Sequence, residues 1–136
     1  MRTYVGVDIG GTKMQMVAGS EDAFFHRRIP TGPSLTPEKI RDALHGFIAS
    51  LPFSVAHVGM TIPGMIREDR EVVLADGLFG ITGMTAESLE GDGFDVTFLG
   101  DLSAAARYEL PFYKPTETVL VVMVGTAIAM SGQRGG

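Results

Sequence analysis

The sequence predicts an α/β domain built on a mixed five-stranded sheet, with helices packed on the sheet and an extra hairpin at the carboxyl end. Three observations predict it: two-residue hydrophobic alternation resumes after a tight glycine turn, a later segment carries apolar residues at helical spacing, and strand and helix patterns alternate from there. At 136 residues the chain is long enough to bury one real core and too short for two.

In the opening strand Val5, Val7 and Ile9 fall on one face and Tyr4, Gly6 and Asp8 on the other. After Gly10-Gly11-Thr12 the alternation resumes, with Met14, Met16 and Ala18 opposed to Lys13, Gln15 and Val17, so the turn joins two strands as a hairpin. A third strand at about residues 23–29 closes a meander. Thr36 and Pro37 then mark a helix start, a capping hydroxyl before a proline at the first helical position. Ile40, Ala43, Leu44, Phe47, Ile48 and Leu51 recur at helical spacing until Pro52 stops the helix. A strand at residues 55–62 ends at Pro63-Gly64 and leads into a short hairpin, with residues 67–71 as its polar tip and Val72, Val73 and Leu74 returning. Residues 76–83 read as loop, residues 86–90 as a short helix ended by Gly91, and residues 94–99 as a strand. Asp101 opens an alanine-rich helix that Pro111 terminates, and residues 118–124 and 127–131 form a last apolar pair around Gly125-Thr126.

Composition narrows the function classes. Hydrophobic residues make up 45% and charged residues 20%, which suits a packed domain rather than a disordered one. Lys and Arg number 11 against 16 Asp and Glu, a net charge of −5, and no window concentrates the cations enough to follow a nucleic-acid backbone. There is no cysteine, hence no disulfide and no thiolate metal site. No apolar run approaches the roughly 18 residues of a membrane span, and MRTYVGVD runs directly into a strand pattern instead of a signal peptide. The expected location is the cytoplasm. His26, His45 and His57 lack metal-ligand spacing and read as structural or surface residues, and the eight methionines read as core filler.

The chemistry starts at the glycine turn. Adjacent glycines followed by a hydroxyl and a lysine let backbone N–H groups reach an anion, because glycine accepts positive φ and carries no Cβ. A plain hairpin turn is the competing explanation. Asp8 bears on the choice: a carboxylate near the end of a buried strand needs a partner, and beside a phosphate loop the natural partner is magnesium or its water shell. The Walker loop and the dinucleotide fingerprint must both open a helix, whereas here a strand follows.

Four segments in order carry a family resemblance. VGVDIGGTKMQMVA (residues 5–18) resembles the first phosphate motif of the ROK family of repressors and sugar kinases, within the actin-like ATPase superfamily. VGMTIPGMIRED (residues 58–69) resembles its strand and Pro-Gly turn, FLGDLSAAARYE (residues 98–109) its catalytic strand–helix junction, and VLVVMVGTAIAMSG (residues 119–132) its second phosphate hairpin. The resemblance implies a ribonuclease H-like amino-terminal lobe in residues 1–115, with residues 116–136 as the first hairpin of a second lobe. It implies ATP- and magnesium-dependent phosphorylation of a hexose or an N-acetylated amino sugar. Asp101 is then the base that accepts the sugar hydroxyl proton, although a helix-capping carboxylate is the bland alternative at such a place. Asp8 holds the metal through water, Gly10, Gly11, Thr12 and Lys13 surround the outer phosphates, and Gly125 and Thr126 approach from the other side. For Lys13 the competing explanation is a solvated lysine on a strand face.

On the sugar side the implied residues are Gly64, Asp76 and Gly100. Gly100 stands where the family usually has an asparagine, a second sugar-contacting asparagine aligns with about Gly77, with Asp76 as the candidate substitute, and Ala127 and Ala129 stand where the family favours glycine. These departures, and a length less than half the family's, keep a second reading open, a short non-catalytic binding or regulatory module. The apolar edge of residues 119–124 invites pairing with another copy, so a homodimer is expected, with no nucleic acid and no membrane as partner.

Overall fold

The computed structural model describes residues 4–20, 22–100, 118–124 and 128–134. They fall into two compact units, residues 1–99 and 100–136.

The first unit is built on the expected meander. Strands β1 (Tyr4–Ile9), β2 (Lys13–Gly19) and β3 (Phe24–Pro30) pair antiparallel, with Ile9 opposite Met14 and Met14 opposite Ile29. Helix α1 (Pro37–Ala49) follows, its start fixed by the Thr36 hydroxyl accepting from the Lys39 amide at 3.3 Å and by proline in the first turn; such a cap contributes about 1 kcal/mol. The chain returns as β4 (His57–Ile62), parallel to β1, with Val5 opposite Val58 and Asp8 opposite Thr61. A parallel neighbour requires a crossover, and the segment containing α1 supplies it. Strand β5 (Gly64–Arg67) and β6 (Glu71–Ala75) form a separate hairpin, and β7 (Asp95–Gly100) completes the main sheet in the order β3-β2-β1-β4-β7.

One face of this sheet is the core. Val5, Val7, Ile9, Met14, Met16 and Ala18 are all buried, as the alternation requires, and Ile40, Leu44 and Phe47 of α1 join the same cluster. Met14, Met16, Met60 and Met84 do act as core filler, whereas Met65 is exposed.

The segment between β6 and β7 departs from expectation. A 3-10 turn, Phe79–Ile81, sits inside the expected loop, and residues 86–90 form hydrogen-bonded turns rather than a helix. The reason is tertiary. Val72 exchanges backbone bonds with the 83–84 stretch, the Ala86 amide donates to the Arg70 carbonyl at 2.8 Å, and the Glu90 carboxylate accepts from the Val96 amide at 3.2 Å. Leu78, Ile81, Met84 and Leu89 are buried beneath these bonds. A five-residue helix could not offset its nucleation cost against that network.

Arg70 is the hub of this region. Its guanidinium donates to Glu87 at 2.7 Å and to the Val96 carbonyl at 2.6 Å, and pairs with Glu90 at 2.7 Å. It sits beside a tight tip in which Glu68 and Asp69 take φ of 51° and 59°, and the Asp69 carbonyl accepts from Phe98 of β7 at 2.8 Å. The β5–β6 hairpin is thus stitched to the main sheet through its tip. At its other end Gly64 has φ +139°, and a Cβ placed there would lie 1.9 Å from the Leu74 carbonyl oxygen.

In the second unit β8 (Thr118–Val124) and β9 (Ile128–Arg134) pair antiparallel as a two-stranded sheet, with Val124 opposite Ile128, which is the expected terminal hairpin. The helix expected from Asp101 lies outside the described residues.

Two outcomes follow from this packing. Gly64→Ala should destabilise the protein by more than about 2 kcal/mol in chemical denaturation, because the methyl overlaps backbone and the conformation is strained; an unchanged midpoint would contradict the close approach. Arg70 holds the Glu87 carboxyl below its usual range, chiefly through their hydrogen bond. A depressed carboxylate stabilises the fold above its unfolded pKa and loses that contribution as pH falls through the folded value. Glu87→Gln should therefore be less stable than the parent near pH 7 and converge with it as pH falls through the folded value of the Glu87 carboxyl, whereas a gap that persists once that carboxyl is protonated would show that charge is not the cause.

Candidate phosphate turn and neighbouring sites

Strands β1 and β2 are closed by the two residues Gly11 and Thr12, with the Gly10 amide donating to the Lys13 carbonyl at 2.8 Å. Neither Gly10 nor Gly11 lies in the left-handed region, so the expectation that positive φ explains the glycine pair is not met. Their use is spatial. A Cβ on Gly10 would stand 3.2 Å from the Lys13 carbonyl oxygen, while one on Gly11 would meet nothing within 4 Å, so one glycine keeps the turn tight and the other leaves it open. Among the described residues the Gly11 and Thr12 amides donate to no other group. Gly11, Thr12 and Lys13 are all exposed. Open amide donors on a rigid hairpin are the elements of an anion site.

Asp8 is exposed, not desolvated within a buried strand as the sequence suggested, because its side chain leaves the sheet on the face opposite the core. Its Oδ1 accepts from the Thr61 hydroxyl at 2.7 Å, across the parallel β1–β4 pair. Gly6 and Gly59 are paired on the same face and have no side chains, so an open depression of about 360 Å³ forms there, with Asp8, Gln15, Val17 and Thr61 among its walls. Among the described residues no three His, Cys, Asp or Glu side chains group as a metal cage. A magnesium ion fits this arrangement only as a species that keeps most of its water and takes phosphate oxygens, which is its usual habit. The groups present, one exposed carboxylate oriented by the Thr61 hydroxyl and open amides in the turn for phosphate oxygens, suit that demand.

A second cluster forms after β4. The Pro63 carbonyl accepts from the Asp76 amide at 3.0 Å, and Gly64 pairs with Ala75, so Gly64 and Asp76 are neighbours although far apart in sequence. Gly77, where the family pattern has asparagine, takes φ +70°. Glycine and asparagine are the residues that tolerate that conformation best. Since β4 carries both Thr61 and, directly after it, the Pro63-Gly64 turn, it links the Asp8 carboxylate to this cluster.

The other expected residues stand elsewhere. Gly100 is the last residue of β7. Asp101, Gly125 and Thr126, with Ala127, lie outside the described residues. His45 donates from Nε2 to the Leu89 carbonyl at 2.7 Å and meets the Phe94 ring edge-on, a structural role. His57 pairs with Asp95, and His26 meets Gln15 at 3.3 Å. Sequence reasoning missed Thr61 and the glycine-lined depression, because their significance depends on the β1–β4 register. A hydroxyl placed two residues before Pro63-Gly64 was the available signal.

The ROK family model matches residues 4–131. Over 68 residues, 48% of the chain, the sequence is 37% identical to the N-acetylmannosamine kinase of Escherichia coli, covering 23% of that protein. The fold matches a ROK family glucokinase from Streptomyces griseus, solved with glucose and AMPPNP, at TM-score 0.74 and 26% identity, over 98% of this chain and 45% of that one. It also matches a ROK family protein from Streptococcus pneumoniae, solved with sucrose, at TM-score 0.79 and 21% identity, over 99% and 47% respectively. The chain therefore spans about half the length of the solved relatives, and the segment matched to the curated kinase covers less than a quarter of that protein. With the family model covering nearly the whole sequence and the mixed five-stranded sheet common to these relatives, the chain belongs to the ROK family.

Proposed function

We propose that the chain provides the amino-terminal lobe of an ATP-dependent sugar kinase acting on a hexose or an N-acetylated amino sugar in the cytoplasm. Residues 1–115 serve as that lobe and residues 116–136 as the first hairpin of the second. The observation that carries the reading is the turn itself: open Gly11 and Thr12 amides lie at the end of a strand whose Asp8 carboxylate faces the same side as a glycine-lined depression. Similarity to a glucokinase solved with AMPPNP and to an N-acetylmannosamine kinase supports the substrate class.

In this reading the amides of Gly11 and Thr12, with Gly10 keeping the bend tight and Lys13 adding positive charge, hold the outer phosphates, and Gly125 and Thr126 approach them from the second hairpin. Magnesium, held through water by Asp8, supplies charge neutralisation on the phosphates. The sugar hydroxyl oxygen forms its bond to the γ-phosphorus as the bond to the bridging oxygen breaks and ADP leaves. Asp101 takes the hydroxyl proton. Gly64, Asp76 and Gly100 border the sugar, Gly64 by allowing the tight turn and Asp76 by offering a carboxylate to hydroxyl groups.

Release of ADP from the encoded protein, assayed with hexoses and N-acetylated amino sugars, tests this. Asp101→Asn should lower kcat by about 10²-fold or more, and Asp8→Asn should lower kcat/KM for Mg-ATP by a similar factor with the denaturation midpoint nearly unchanged. Turnover that survives both substitutions would refute the assignment. Gly100, Gly77, Ala127 and Ala129, which replace residues the family favours, support a second reading as a non-catalytic module. Calorimetry separates the two. Under the kinase reading residues 1–136 alone bind Mg-ATP no tighter than about millimolar, because the rest of the nucleotide pocket belongs to a second lobe, and micromolar binding by that segment favours the module.

A further inference from the structure

Thr31 lies between the end of β3 at Pro30 and the cap of α1, and no role above requires it. Its hydroxyl donates to the Gly10 carbonyl at 2.6 Å, and its amide donates to the Thr12 carbonyl at 2.9 Å. One half-buried residue thereby holds the carbonyls of both peptide units that flank the two-residue turn. In a planar trans peptide the carbonyl and the following N–H point to opposite sides. With both carbonyls directed at Thr31, the N–H groups of Gly11 and Lys13 point away from it. An ordinary two-residue hairpin would use the Gly10 carbonyl to accept from the Lys13 amide. That bond is not among those of the turn, and the Gly10 carbonyl accepts from the Thr31 hydroxyl.

We propose that Thr31 is a positioning residue for the phosphate turn, its hydroxyl keeping the Gly10 carbonyl turned back so that the Gly11 and Lys13 amides stay available to the phosphates of a nucleotide. The backbone bond to Thr12 would be made by any residue except proline. The hydroxyl bond is specific to Thr or Ser, and it spans from the β3 end to the β1 end of the turn. Without it the Gly10 carbonyl, left without a partner, swings toward the Lys13 amide and withdraws a donor from the anion. The proposal rests on the kinase reading for the identity of its ligand, but not for the geometry.

The test compares Thr31→Val, Thr31→Ala and Thr31→Ser in the encoded protein. Loss of one hydrogen-bond constraint should raise KM for Mg-ATP by about tenfold in Val and Ala while KM for the sugar stays within about twofold, and Ser should restore nucleotide KM to within about threefold of the parent. Equal nucleotide KM in all four proteins, a Ser variant as impaired as Val, or a matching rise in both KM values would overturn it. Val and Ala together guard against one variant failing to fold. If the parent turns over no sugar with ATP, the kinase reading fails, and the clamp is judged on the amide resonances of Gly11, Thr12 and Lys13 titrated with magnesium pyrophosphate. Shifts kept by Ser and abolished by Val and Ala support it; no shift in the parent, or equal shifts in all, overturns it.

Discussion

The structure depends on the register with which β1 and β2 close over two residues. Side chains alternate with a period of two, so a slip of one residue would move Met14, Met16 and Ala18 to solvent and bring Lys13, Gln15 and Val17 inward. Burial of Val5, Val7 and Ile9 opposite those residues makes that slip expensive, at roughly 1.5–3 kcal/mol for each large apolar side chain exposed. The same register puts Asp8 on the outer face and leaves only Gly11 and Thr12 to span the bend. The position of the candidate phosphate site is thus a consequence of core packing on the other side of the sheet.

What could be read from sequence was whatever depends on local period. The three opening strands, α1 with its Thr36 cap and Pro37 start, β4 up to Pro63-Gly64, and the terminal hairpin are set by alternation, spacing and turn residues that sit next to one another in the chain. The segment at residues 86–90 was misread because its conformation is decided by partners outside it, Arg70 on the preceding hairpin and Val96 of β7. The glycine turn was found for a reason only half right: its residues matter for space, and Gly64 and Gly77, not Gly10 and Gly11, carry the positive φ. The roles of Thr61 and Thr31 depend on non-local pairing, because each acts across a strand pair, one through the parallel β1–β4 register and one over the end of the meander.

The turn after β4 shows how backbone demands and ligand demands overlap. Gly64 cannot carry a Cβ without striking the Leu74 carbonyl, and Gly77 takes a left-handed conformation, so the fold alone constrains both positions. Asp76 is different, because its backbone is fixed by the Pro63 carbonyl while its exposed carboxylate is not used in any bond that holds the hairpin together. Of the sugar-side candidates in the first unit it is the one whose side chain the fold leaves available for a ligand.

A crystal structure of the encoded protein with magnesium and AMPPNP measures the central claim most directly. The account predicts phosphate oxygens within hydrogen-bonding distance of amides of the turn, those of Gly11, Thr12 and Lys13, with a hydrated metal ion against the Asp8 carboxylate. Phosphates bound elsewhere, with the turn facing bulk solvent, would contradict it.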